Sequence, residues 1–144
     1  MKSAKYFVIG TIVVLLISNK GYSQTDSLLK YCTKNMSPQY ISDGQQYISI
    51  LNGEEIAEFR ATFFGGTTYR IAACSGMSKN TIIFTLYDSP DPLKRKELFS
   101  NRNFQNSPYW DFKFTSTMEC VIEAQLVPSE SGSGFAILLI GFKK

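Results

Sequence analysis

Glu55-Ile56-Ala57-Glu58-Phe59-Arg60-Ala61-Thr62-Phe63-Phe64 decides the fold. Ala57, Phe59, Ala61 and Phe63 share one parity; Glu58, Arg60 and Thr62 share the other. Successive side chains of a strand point to opposite faces, so this alternation describes a strand with one dry face and one wet face. Upstream, residues 46–51 alternate too, and Asn52-Gly53 lies between the two runs. Both residues tolerate positive φ, which makes the pair a strong type I′ hairpin signal. A hairpin over residues 46–64 is the expectation.

The same reading extends outward. Gly65-Gly66 breaks the run, and strands are expected over 68–74 and 82–87, with a loop at Ser75 to Asn80 between them. Asp88-Ser89-Pro90-Asp91-Pro92 is a turn, since proline cannot donate to a ladder. Residues 94–100 fit a helical turn or an edge strand. After the polar loop at Asn101 to Pro108, residues 109–115 put Trp110, Phe112 and Phe114 on one face and Asp111 and Lys113 on the other. A strand over 120–127 and a flexible turn over 129–134 follow. The run Ala136-Ile137-Leu138-Leu139-Ile140 reads as a strand covered on both faces. Near the N-terminus, Asp26 to Lys34 suits one or two helical turns with Asp26 as N-cap. Seven or eight short strands, no long helix and no internal repeat describe an all-β fold. The expected architecture is a jelly-roll-like antiparallel two-sheet sandwich with a core about 10 Å thick and a short N-terminal helical segment.

Residues 1–23 have the layout of a secretory signal peptide. Lys2 and Lys5 precede twelve residues without formal charge, Tyr6 to Ile17, and Gly21-Tyr22-Ser23 offers small residues before a cleavage at Gln24. Twelve helical residues span about 18 Å, short of a hydrocarbon core of about 30 Å. A single domain over 24–144, secreted or periplasmic, with no stable membrane span after cleavage, is therefore expected. The net charge of +3 equals the contribution of Lys2, Lys5 and Lys20. The remaining chain is near neutral, which argues against a nucleic-acid partner.

Histidine is absent. That removes the usual general base, the commonest transition-metal ligand and the histidine-activated nucleophile. Three cysteines remain, Cys32, Cys74 and Cys120. An exported chain of this kind makes at most one internal bridge. Cys120 shares the apolar parity of Ile122, Ala124 and Leu126, whereas Cys74 is out of phase with Tyr69, Ile71 and Ala73. Cys32–Cys74 is the preferred pairing; no bridge and Cys74–Cys120 are the alternatives. Their spacing does not make a zinc site, and neither a metal nor a cofactor is expected.

Candidate sites are each set against a plainer reading. Asp88 with Asp91 falls short of the oxygen set that calcium prefers and reads as a turn. Glu119, Glu123 and Asp111 would make a glycosidase-like carboxylate pair if they lay on adjacent strands, although outward acids usually serve solubility. Trp110 shares the parity of Phe112 and Phe114, which leaves Tyr109 as the freer aromatic for ligand stacking. Ligand contact is assigned to Tyr109 and to Asn101, Asn103 and Asn106 of the loop beside it, together with the loop at 75–80. Lys94-Arg95-Lys96 reads as a solvated edge that discourages strand-to-strand aggregation.

Three stretches resemble the bacterial pre-peptidase C-terminal domain, a jelly-roll-like sandwich. Gly66 to Ala73 is similar to its Gly-x-x-Tyr strand, Thr81 to Asp88 to its Leu-Tyr-Asp strand, and Cys120 to Leu126 to its penultimate strand. The chain departs from that pattern at Ser116-Thr117-Met118-Glu119 and lacks the Asp-rich loop. The resemblance implies non-catalytic binding or targeting outside the cytoplasm. The functional expectation is thus a small exported non-catalytic module with an extracellular or periplasmic ligand, glycan or protein, or a structural role. The alternative is a carboxylate-based hydrolase such as a glycosidase.

Overall fold

Alternating strands with inward Phe, Ile and Ala can bury those residues only against a second sheet, and the fold is built that way. The computed structural model describes residues 21–75, 82–127 and 132–144, with side chains from residue 27 onward. Most of the expected signal segment, and residues 76–80 of the expected ligand loop, lie outside the described residues. Among the described residues nine strands run in chain order as β1 (Tyr40–Ser42), β2 (Tyr47–Asn52), β3 (Ile56–Phe63), β4 (Thr68–Cys74), β5 (Ile82–Tyr87), β6 (Glu97–Ser100), β7 (Tyr109–Lys113), β8 (Met118–Leu126) and β9 (Ser133–Lys143). One sheet has the order β1-β9-β4-β7, with β2 also on β9; the other is β3-β8-β5-β6. All pairings are antiparallel. The count exceeds seven or eight because the three residues of β1 are too few to leave an alternation in the sequence.

The expected hairpin at Asn52-Gly53 does not form. β2 pairs with β9 over 47–52 and 133–138, while β3 pairs with β8 in the opposite sheet. Gly53 does take positive φ (+59°), but its N–H donates to Gly132 O at 2.9 Å, and Glu55 N–H closes the turn on Asn52 O at 3.1 Å. The type I′ turn expected of Asn52-Gly53 is not present either: Asn52 is the first residue of the turn, and of the pair only Gly53 takes positive φ. Distant strands of matching length compete successfully for both partners. Of the links between described strands that neighbour one another in sequence, β5 to β6 is the hairpin.

Phe63, Phe84, Ile71, Leu86, Ile122 and Leu138 fill the space between the sheets and are essentially inaccessible. Phe63 stacks on Phe114 at 4.5 Å, and Tyr69 meets both rings edge-on. Trp110 and Phe112 face inward as their parity requires, but β7 is an edge strand and both remain half-buried. Ile137 and Ala72, on the outer face of the β9 sheet, are also buried, because helix α1 (Gly21–Cys32) lies against β4 and β9. Asp26 is inside that helix and not at its N-cap, since residues 21–25 continue the helical turns. A disulfide joins Cys32 to Cys74, Cα atoms 5.6 Å apart, and fastens the helix to β4.

Candidate functional site

A groove of about 730 Å³ opens where β1 and β2 follow one another along the same edge of β9. Asp43 and Gly44 (φ +82°) bend the chain between the two strands. The break leaves Tyr47 facing β3 across the gap. Tyr69, Ile140, Phe142 and Ala61 supply apolar wall; Asp43, Gln45, Arg60, Thr62 and Glu119 supply the polar part. The Tyr47 hydroxyl lies 2.8 Å from Gln45 Oε1 and 3.2 Å from Asp43 Oδ2. Burial, reinforced by the Asp43 charge and its hydrogen bond, pushes the Tyr47 phenol up to about 12. Tyr47 is therefore a neutral donor at any physiological pH. Phe64, 60% exposed, stands at the mouth. Apolar walls with convergent hydrogen-bonding groups suit binding of a ligand segment. The sequence signal for this groove was Ser42-Asp43-Gly44, a turn set inside what otherwise reads as the approach to one strand.

The expected ligand residues divide. Asn101 is fully buried and is scaffold. Its Oδ1 accepts Phe84 N–H at 2.9 Å, and its Nδ2 donates to Ile82 O at 2.9 Å and Ser107 O at 3.0 Å. It pins the 101–107 loop to the start of β5. Asn106 sits in the left-handed region (φ +53°), which Asn tolerates well, and its N–H donates to Asn101 O. Asn103 is exposed and lines a polar hollow of about 400 Å³ with Thr85, Tyr87, Arg102, Glu123 and Gln125. Tyr109 is 38% exposed, with the Arg70 guanidinium 4.2 Å from its ring centre.

Arg70 organises the outer face of the β9 sheet. It makes a two-point ion pair with Asp111 (2.7 and 2.9 Å), donates to Asn35 O at 3.2 Å and lies between the Tyr109 and Tyr40 rings. The hydrogen bond from Arg70 holds the Asp111 carboxyl below the usual range, against a smaller opposing effect of burial. Tyr40 reaches Arg70 across β9 because the residue between them is Gly141. A Cβ there would come within 2.7 Å of Met36 Sδ and 3.1 Å of Tyr40 Cβ.

Glu119, Glu123 and Asp111 do not lie on adjacent strands: Asp111 is on β7, in the opposite sheet from the two glutamates on β8. Glu123 stands opposite Glu58, and Arg95 joins them, 2.7 Å from Glu123 Oε1 and 3.6 Å from Glu58 Oε2. Arg95 also lies 4.4 Å from the Tyr87 ring centre. Its side chain is 18% exposed, so the middle residue of Lys94-Arg95-Lys96 is folded inward and only Lys94 and Lys96 are solvated. Two facing carboxylates repel and leave a position that a flat guanidinium fills. Asp88 and Asp91 accept backbone N–H groups of their own turn. Cys120 is buried and free, and desolvation, with some help from Asp88, pushes its thiol up to about 11. Among the described residues, no group of three or more His, Cys, Asp or Glu is placed to hold a metal ion.

No helix of the described residues is long and apolar enough to cross a membrane. No protein-family model and no curated protein sequence matches the chain. The fold is similar to that of PliG from Aeromonas hydrophila, a periplasmic lysozyme inhibitor of g-type lysozyme. The TM-score is 0.53 at 13% sequence identity, and the likeness covers 74% of this chain and 90% of that one.

Proposed function

We propose that this chain is an exported, non-catalytic β-sandwich that binds a protein outside the cytoplasm, with a lysozyme as the partner to test first. The carrying observation is the likeness to a lysozyme inhibitor across nine-tenths of that inhibitor's length. Three features of the chain support the class. Asp111 and Glu123 are each committed to an arginine. A disulfide ties helix α1 to the sandwich, as suits an oxidising compartment. The resemblance of three strands to the pre-peptidase C-terminal domain points the same way, toward binding outside the cytoplasm. The test is to titrate the exported protein into g-type lysozyme acting on peptidoglycan. Stoichiometric loss of lysis is expected; undiminished lysis at large excess, with no complex on a sizing column, overturns the proposal.

One observation favours the hydrolase alternative. The groove brings Asp43 and Glu119 to the walls of a single cavity. Turnover of a glycoside substrate by the purified protein, abolished in Glu119→Gln, would establish that reading instead.

A further inference from the structure

We infer that the groove between β3 and the β1–β2 bend holds a small amphipathic amine, its ammonium head at Asp43 and its apolar body along Tyr69, Ile140 and Phe142. This is a second binding function, and it does not depend on the protein-binding reading above.

The groove is a gap in the sandwich and not a dent in its surface. Among the described residues β2 and β3 each have a single strand partner, and they border the same open side. Ala61 is what keeps that side open. It shares the inward parity of Phe59 and Phe63 but carries a methyl group where they carry rings. Phe59 closes the space on one side of it, meeting the Tyr47 ring edge-on at 5.9 Å. Phe63 closes the other by stacking on Phe114 at 4.5 Å. Between them lie about 730 Å³, within the range of about 300–1,000 Å³ usual for small-molecule sites. Phe64, 60% exposed at the mouth, is an apolar surface that an occupant would cover.

The polar end sets the chemistry of the head group. Asp43 is half-buried, and among the described residues no Lys or Arg pairs with it. Its Oδ1 accepts Gln45 N–H at 2.9 Å. Its Oδ2 has the Tyr47 hydroxyl 3.2 Å away, but that hydroxyl is closer to Gln45 Oε1, at 2.8 Å, and has one proton for two acceptors. An acceptor is therefore left short of a donor beside a carboxylate that no cation offsets. The other charges at the groove are Arg60 and Glu119. Both are exposed, on the outward parity of β3 and β8, so they stand at the rim with opposite signs. The charge without a counterpart is that of Asp43. An ammonium group supplies both the missing charge and up to three donors. A carboxylate head would be repelled there, and a hydroxyl would leave the charge unopposed.

The test uses three probes with one tail, n-octylammonium, 1-octanol and n-octanoate, titrated into the exported protein while its backbone amide resonances are followed. At neutral pH the amine is protonated and the acid ionised. Octylammonium should bind at least roughly tenfold more tightly than octanoate, with the shifts centred on Tyr47, Tyr69 and Phe142. Asp43→Asn should weaken octylammonium about tenfold, the loss of one charge-assisted hydrogen bond, and leave 1-octanol within about twofold. Ala61→Phe, which puts a ring into the gap, should abolish binding of all three. Phe64→Ser, at a side chain already in water, should keep the fold and weaken all three alike. The assignment is overturned by octanoate binding as tightly as octylammonium, by unchanged octylammonium affinity in Asp43→Asn, by shifts centred elsewhere, or by a wild type that binds none of the probes. Each of these outcomes leaves the lysozyme titration, and the reading it tests, untouched.

Discussion

Asn101 and Asn103 are two residues apart in one polar loop, and nothing in their spacing separates their fates. Asn101 has three backbone groups converging on its amide; Asn103 has water and a shallow hollow. Asn101→Ala should cost about 1–3 kcal/mol, because it leaves the N–H of Phe84 buried without a partner. Asn103→Ala should stay within about 0.5 kcal/mol. Denaturant midpoints measured side by side check both. Asp111 adds a pH dependence. Its carboxyl is held low in the folded state by Arg70, so it contributes stability above the ordinary carboxylate range, and that contribution fades as pH falls through the depressed value. The Tm of wild type should therefore drop more steeply on acidification than that of Asp111→Asn, and parallel curves would remove Asp111 from the account. Cys120, buried with a raised pKa, should resist a thiol reagent at neutral pH until the protein unfolds.

At the scale of elements, legibility followed punctuation. The bounds of β4 and β5 match the runs 68–74 and 82–87 expected as strands, because Gly65-Gly66 and Asp88-Ser89-Pro90 mark one end of each without ambiguity. β6 also emerged as an edge strand, one of the two forms its residues allow. What the chain does not write down is partnership. Asn52-Gly53 predicts a turn and says nothing of which sheet receives the next strand. Lys94-Arg95-Lys96 does not show that its middle residue will fold back over Glu58 and Glu123, which lie 28 or more positions away. The groove behind Tyr47 leaves no mark in the sequence for the same reason, since its walls come from five separate strands. The edge placement can be tested on β7 and the residue after it. Phe114, stacked on Phe63 and 6% exposed, should cost about 3–5 kcal/mol when changed to Ala. Phe112, half-buried on the edge strand, should cost clearly less. Equally large losses would mean that Phe112 is as fully buried as Phe114 and that β7 does not lie at an open edge.

For the molecule as a whole, the Cys32–Cys74 bridge closes a loop across 42 positions and holds α1 over the buried outer face of β4 and β9. Replacing both cysteines by Ser should lower stability by about 2–4 kcal/mol, seen as a lower midpoint with the β signal retained. If the N-terminal segment is removed on export, mass spectrometry of the exported protein should find Gln24 first, which would leave α1 its last nine residues. The strand order carries one more consequence. β9 comes last along the chain, yet among the described residues it is the only strand that pairs with β1 and β2, and its Gly141 supplies the hollow that receives Met36 and Tyr40. As the chain is synthesised, β1 and β2 must therefore wait for about ninety residues to pass before a partner exists. A polypeptide stopped at residue 127 should leave β1 and β2 without a sheet partner, while the Cys32–Cys74 bridge still ties α1 to β4.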